Sequence, residues 1–140
     1  MPEATPVPTT EAKYVEARDD VTSDVNLRSA GWCSDWNSGS SWFPPVLQST
    51  NLKAEGFGTN YAAFSEKDVD DRINQILQKP LEDQPAAWNE LDKYIADKYL
   101  PVIPTLYTGV AQAHGSKING HNVDNVYGQP TLKRIWISSE

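Results

Sequence analysis

The sequence predicts a mixed α/β unit, and three observations carry that prediction. Apolar residues recur at helical spacing in two segments, Ser65 to Lys79 and Asp83 to Tyr99; polar and apolar residues alternate over Ser23 to Trp32; and a β-rich apolar run, "VIPTLYTGVAQAHG", follows the second helical segment. No internal repeat or linker divides the 140 residues, so a single unit is expected at 10–140 behind an extended lead at 1–9.

The elements follow in order. Three prolines in the lead favour extended chain, with a short strand expected around Thr5 to Val7. Thr10 is placed to cap a short helix through Arg18, and Glu11 suits its first turn. Val25 and Leu27 alternate with Asp24, Asn26 and Arg28, which predicts a strand ending near Trp32. "PPVLQS" suits a short helix because proline is tolerated in a first turn, and "NLKAEGFGTNYAAF" reads as a glycine-punctuated loop.

Ser65 and Asp68 have the spacing of a capping box for the first long helix, whose apolar face is Val69, Ile73, Ile76 and Leu77. Pro80 stops it. The second long helix carries Trp88, Leu91, Ile95 and Tyr99 on one stripe and closes at Pro101. Beyond it, Pro104 points to edge strands or a strand broken at the proline. A turn-rich tail then ends in Leu132, Ile135, Trp136 and Ile137.

Charge limits the possible partners. A formal net charge of -7, with basic residues scattered along the chain, opposes binding to phosphate backbones or anionic lipid, so nucleic acid is not an expected partner. A cationic or amine-bearing ligand suits this surface better. No apolar run reaches the roughly 20 residues that span a bilayer, and the acidic, proline-rich start lacks the features of a secretory signal, so neither membrane insertion nor an export route is expected from this chain.

Enzymatic constellations are missing from the motifs. His114 and His121, the two histidines, lie in "HGSKINGH" outside any nucleophile motif and at a poor metal-ligand spacing, so both are expected on surface loops. The acid pairs Asp19 with Asp20 and Asp70 with Asp71 are expected on solvated faces. Cys33, the single cysteine, has no Lys, Arg or His within three positions and is expected as a buried small hydrophobe rather than a reactive thiol.

The unusual stretch is "GWCSDWNSGSSWFPPV", with three of the five tryptophans between positions 32 and 42 among glycine, serine and proline. Asp35 lies there between Trp32 and Trp36. A carboxylate hemmed by indoles is costly unless a cation meets it, and a ligand amine is one such cation, with the aromatic faces adding cation-π attraction. The alternative is that Asp35 caps a turn while both indoles pack in the core.

These same residues carry a family resemblance. "DVNLRSAGWCSDWNSGSSWFPPVLQST" resembles the "GWCADY" or "GWGADWPSG" segment, with its following "PPLF.S", of the extracytoplasmic solute-binding proteins of family five, the peptide-binding components of ABC importers. "NYAAFSEKDVDDRINQI" and "QPAAWNELDKYIADKYLPVIPTLYTGVAQAHGSKING" are similar, in the same order, to later parts of that family, so the resemblance runs from about Ala4 to Ser138.

The resemblance implies part of a type II periplasmic-binding-protein fold, mostly the second lobe, with a mixed sheet flanked by helices. It implies a two-lobed protein, several times longer, that closes on a peptide or other amine-bearing solute without catalysis or cofactor, outside the cytoplasmic membrane and in partnership with the importer's membrane subunits. This chain would be the C-terminal portion, with the first lobe outside it. By motif position Asp35 matches the aspartate that receives the peptide α-ammonium group. Gly31, Trp32 and Cys33 match the strand end that walls the ligand, with Trp36 beside the carboxylate. Ser34 stands where alanine is frequent, and Asn37 follows the oligopeptide type. Cys33 matches a cysteine that in some relatives pairs far upstream, which implies a free thiol here. The competing expectation is a protein-interaction module, or a remnant without function, that exposes the aromatic loop.

Overall fold

The structure is a computed structural model that describes residues 8–20, 22–23, 26–52, 58–109, 111–126 and 128–139. Among these, the chain forms four helices and one two-stranded sheet: α1 (Glu11–Asp19), α2 (Phe43–Leu47), α3 (Lys67–Leu77), α4 (Gln84–Lys98), β1 (Ile118–Asn119) and β2 (Trp136–Ile137). This is a small mixed helix and strand domain, in keeping with the broad α/β class.

The core is helical. Val69, Ile73 and Ile76 of α3 meet Trp88, Leu91 and Ile95 of α4, and Phe43, Val46 and Leu47 of α2 close the cluster together with Phe64. These are the faces that the 3.6-residue periodicity marks, with one exception. Leu77, expected inward, is 43% exposed because α3 ends there and Gln78 already stands at its C-cap. Pro44 and Pro45 sit in the first turn of α2, where a missing N–H costs nothing. The Phe43 and Trp88 rings stack at 5.2 Å and 5°, joining α2 to α4.

Polar anchors fix the connections. The buried Asn60 donates from Nδ2 to the Phe64 carbonyl at 2.7 Å and accepts at Oδ1 from the Phe64 N–H at 3.0 Å, so the turn before α3 is held from inside. Asp70, expected to be solvated, instead accepts from the Ser49 N–H at 3.0 Å and from the Ser49 hydroxyl, tying the turn after α2 to α3. Asp71 behaves as expected, paired with Lys67 at 2.7 Å on the exposed face. Thr10 caps α1 by accepting from the Lys13 N–H at 3.4 Å, and the Arg18 guanidinium lies 5.0 Å from the centre of the Tyr61 ring.

The expected capping box of α3 does not form. Glu66, not Ser65, is the N-cap residue and contributes no side-chain bond. Asp68 turns toward α4: it accepts from the Tyr94 hydroxyl, from the Tyr99 hydroxyl at 2.8 Å and from the Lys98 ammonium at 3.1 Å. A carboxylate offered a cation and two hydroxyls gains more there than from one backbone N–H. The Tyr94 hydroxyl, aided by Tyr99 and Lys98 and opposed by desolvation, holds the Asp68 carboxyl far below the usual carboxylate range. The same contacts, led by Tyr94, raise the Lys98 ammonium.

The pH dependence follows from the depressed Asp68 carboxyl. Its stabilisation is fully present above the unfolded carboxylate value near pH 4 and is lost as pH falls toward the folded value. In urea unfolding at a series of pH values, Asp68→Asn is expected to be weaker than the wild-type chain at neutral pH, with the gap narrowing steadily below about pH 4. A gap that stays constant down to the lowest accessible pH would rule out this carboxylate as the link between α3 and α4.

The strands depart most from expectation. Positions 26–32 of the segment expected to run as a strand to Trp32 have no regular structure, and the same holds for 101–109 and 111–115 in the β-rich run. The short strand expected at Thr5 to Val7 lies outside the described residues. β1 and β2 pair antiparallel, with Ile118 opposite Ile137 and Asn119 opposite Trp136, where a mixed sheet flanked by helices was expected. Strands require neighbours to take their backbone hydrogen bonds, and neither of the longer segments finds one among the described residues. Ile103, Leu106 and Tyr107 are therefore left 62%, 72% and 100% exposed.

Candidate ligand-binding loop

Ser41 organises the tryptophan-rich loop. It sits almost fully buried in the 3-10 turn Gly39–Ser41, immediately before α2, and both of its polar ends reach back along the chain. Its carbonyl accepts from the Trp32 indole N–H at 2.7 Å. Its hydroxyl oxygen accepts from the Asp35 N–H at 2.5 Å and, more weakly, from the Trp36 N–H at 3.4 Å. One residue, through its carbonyl and its hydroxyl, thus draws Trp32, Asp35 and Trp36 around itself without any strand.

The serines around it extend the arrangement. The Trp36 indole donates to the Ser40 hydroxyl oxygen at 2.9 Å, and the Ser40 hydroxyl donates to that of Ser38 at 3.0 Å. Ser38 caps the 3-10 turn by accepting from the Ser40 N–H. The run "SGSS" positions the aromatic groups. The legible signal was a serine beside a helix start, the residue type that bonds to nearby backbone.

Gly39 attaches the loop to the core. A Cβ at this position would lie 2.5 Å from Cγ of Trp88, so the loop backbone rests directly on the buried indole. Trp42 packs half-buried against the same cluster and meets Phe43 edge-on at 5.2 Å.

Asp35 itself is exposed, and its carboxylate makes no hydrogen bond or ion pair within the described chain. The expectation of a carboxylate desolvated between indoles is corrected on this point: the backbone N–H is tied down while the charged end faces water. Trp32 is half-buried and Trp36 is 53% exposed, so one indole leans on the core and the other is open to a ligand. Gly31 is exposed with open space around its Cα. Cys33 is an exposed free cysteine, contrary to the buried small hydrophobe expected from composition, because the loop turns it outward while Trp32 takes the inner position.

Two other clusters compete for a role. Asp68, Tyr94, Lys98 and Tyr99 bond to one another, with the Arg72 guanidinium 3.9 Å from the Tyr94 ring centre, so their polar capacity is spent on holding α3 to α4. His114 and His121 lie on loops near the surface, as expected, and their ring centroids are 4.7 Å apart. Among the described residues, no group of three or more His, Cys, Asp or Glu is placed to hold a metal ion, and no helix is long and apolar enough to cross a membrane.

The chain matches no family model, no curated protein and no solved structure. The case for its function therefore rests on its own residues.

Proposed function

We propose that the chain binds the amino end of a short peptide, or a similar amine-bearing solute, through Asp35 flanked by Trp32 and Trp36. In this reading it forms the second-lobe part of a two-lobed, type II solute-binding protein of family five that serves the membrane subunits of an ABC importer outside the cytoplasmic membrane. The observation that carries it is the state of Asp35: an exposed carboxylate without a partner in the described chain, on a backbone held by the buried Ser41 hydroxyl. An unpaired carboxylate on a held backbone, next in the chain to an exposed indole, suits an ammonium group, which can take a charge-assisted hydrogen bond and a cation-π contact. The family motif quoted from Gly31 onward supports the same reading. The role is binding, with no bond made or broken.

Half a cleft leaves water at the contact, so binding by this chain alone is expected to be weak. Calorimetric titration with short unblocked peptides tests the proposal. Asp35→Asn is expected to weaken binding by about ten- to a hundredfold, the loss that follows from a charged hydrogen bond. N-acetylated peptides should show a similar loss and no further loss with the variant. Unchanged affinity in Asp35→Asn would sink the proposal.

A second reading is favoured by a different observation, the exposed apolar run from Ile103 to Tyr107. Such a run suits a protein partner that covers it, which makes the chain an interaction module. Under this reading the purified chain binds a hydrophobic dye and self-associates with concentration. A chain that stays monomeric and dye-silent would exclude it.

A further inference from the structure

We propose that His114 and His121 form a two-imidazole site for a borderline divalent transition ion of the Zn2+, Ni2+ or Cu2+ class. This inference is independent of the peptide-binding reading and goes beyond it. The sequence spacing gave no reason to expect such a site, since the two histidines stand seven positions apart in a glycine-rich stretch. The chain folds back between them, and the ring centroids lie 4.7 Å apart with the ring planes tilted by 31°.

The hydrogen bonds define which nitrogens are available. His114 Nδ1 lies 3.1 Å from the Gly115 carbonyl oxygen, an acceptor only, so Nδ1 carries the proton and Nε2 keeps its lone pair. The Gln112 amide donates from Nε2 to the Gly128 carbonyl at 3.0 Å, which orients its Oε1 toward His121. His121 Nε2, at 3.2 Å from that oxygen, must then be the donor, and its Nδ1 keeps the lone pair. Each ring thus gives its N–H to an oxygen acceptor and leaves one imine nitrogen without a partner among the described residues.

This pattern is the one that metal-binding histidines need. A ligating imidazole donates its other N–H to a carbonyl, carboxylate or water, which fixes the tautomer and strengthens the free nitrogen as a ligand. Here both rings already have that second bond. Two imidazoles favour borderline ions over hard ones such as Ca2+ and Mg2+, and water completes the remaining positions. An ion there would join the segment around residue 114 to the start of the turn-rich tail at His121, and through Gln112 to Gly128. Gln112 is a positioning residue, acting on the ion through His121.

Calorimetric titration of the intact chain with Zn2+, reversed by chelator, is the test. The expected result is one ion per chain, no comparable binding of Ca2+, and about tenfold or greater weakening in each of His114→Ala and His121→Ala. Gln112→Leu, which keeps both rings, should weaken binding less than removal of either ring. Since a variant can fail to fold, Ni2+ added to the unsubstituted chain supplies a second readout. Paramagnetic broadening should reach the ring protons of both histidines together at the lowest ion concentrations. Absence of saturable Zn2+ binding, affinity unaffected by both histidine variants, or broadening that spares either ring would overturn the site.

Discussion

Trp88→Ala is expected to lower the unfolding free energy by about 3–5 kcal/mol, the cost typical of removing a buried large aromatic side chain. Trp88 is 4% exposed and lies where three parts of the molecule meet. Its ring stacks on Phe43 of α2, its helix packs on α3, and the Gly39 backbone rests against its face. A collapse that refilled this space would have to move all three. Small domains hold only about 5–15 kcal/mol in total, so the variant should be largely unfolded at modest urea concentration. Urea titration followed by circular dichroism measures it. A loss below about 1 kcal/mol would mean that the α2, α3 and α4 cluster is not the core. The indole N–H is buried without a partner among the described residues, so part of the wild-type packing gain is already offset, and Trp88→Phe should cost much less than Trp88→Ala.

Gly39→Ala should destabilise by about 1–3 kcal/mol, the usual range for overpacking a filled core. The added methyl group would stand 2.5, 2.7 and 2.8 Å from three ring atoms of Trp88, closer than carbon atoms approach one another. The buried indole is braced by Phe43 and yields little. Gly31→Ala, in the same loop, meets nothing within 4 Å and should change stability by no more than about 0.5 kcal/mol. The pair separates a steric effect from a general demand for glycine. Because the strain lies between position 39 and one ring, Gly39→Ala should cost less in a Trp88→Phe background than in the wild-type chain. Equal costs in the two backgrounds would place the strain elsewhere. The test also bears on ligand binding, since the backbone that rests on Trp88 is continuous with the loop presenting Asp35.

The helices were legible because their information is local. Val69, Ile73 and Ile76, and again Trp88, Leu91 and Ile95, repeat at the helical period and are all buried, while Leu77 and Tyr99, marked by the same period at the helix ends, are not. Prolines 44, 45 and 80 mark a start and a stop for reasons that need no distant partner. Asp68 shows where such reasoning ends. Its spacing from Ser65 predicts a cap, but Tyr94 and Tyr99, far along the chain, offer better bonds, and proximity in sequence says nothing of that competition.

The two alternating segments show the complementary limit. Alternation reports a capacity for strand, and a strand exists only when another supplies its ladder, so residues 26–32 and 101–109 have β-type composition without β structure. At the candidate site the sequence pointed to Asp35, Trp32 and Trp36 by residue type and motif. That Ser41 gathers them, that Cys33 faces outward and that Gly39 binds the loop to Trp88 were not legible. The two histidines are the clearest case, since the six residues between them have no fixed end-to-end distance until the rest of the chain sets it.

By itself, then, the sequence determined the charge, the helical cores and the residue types in the aromatic loop, because periodicity, proline and chemistry act within a few residues. Only the tertiary structure decided which carboxylate is held and which is open, which backbone finds a ladder and which rings meet, because each of those outcomes depends on partners far apart in the chain competing for the same bonds.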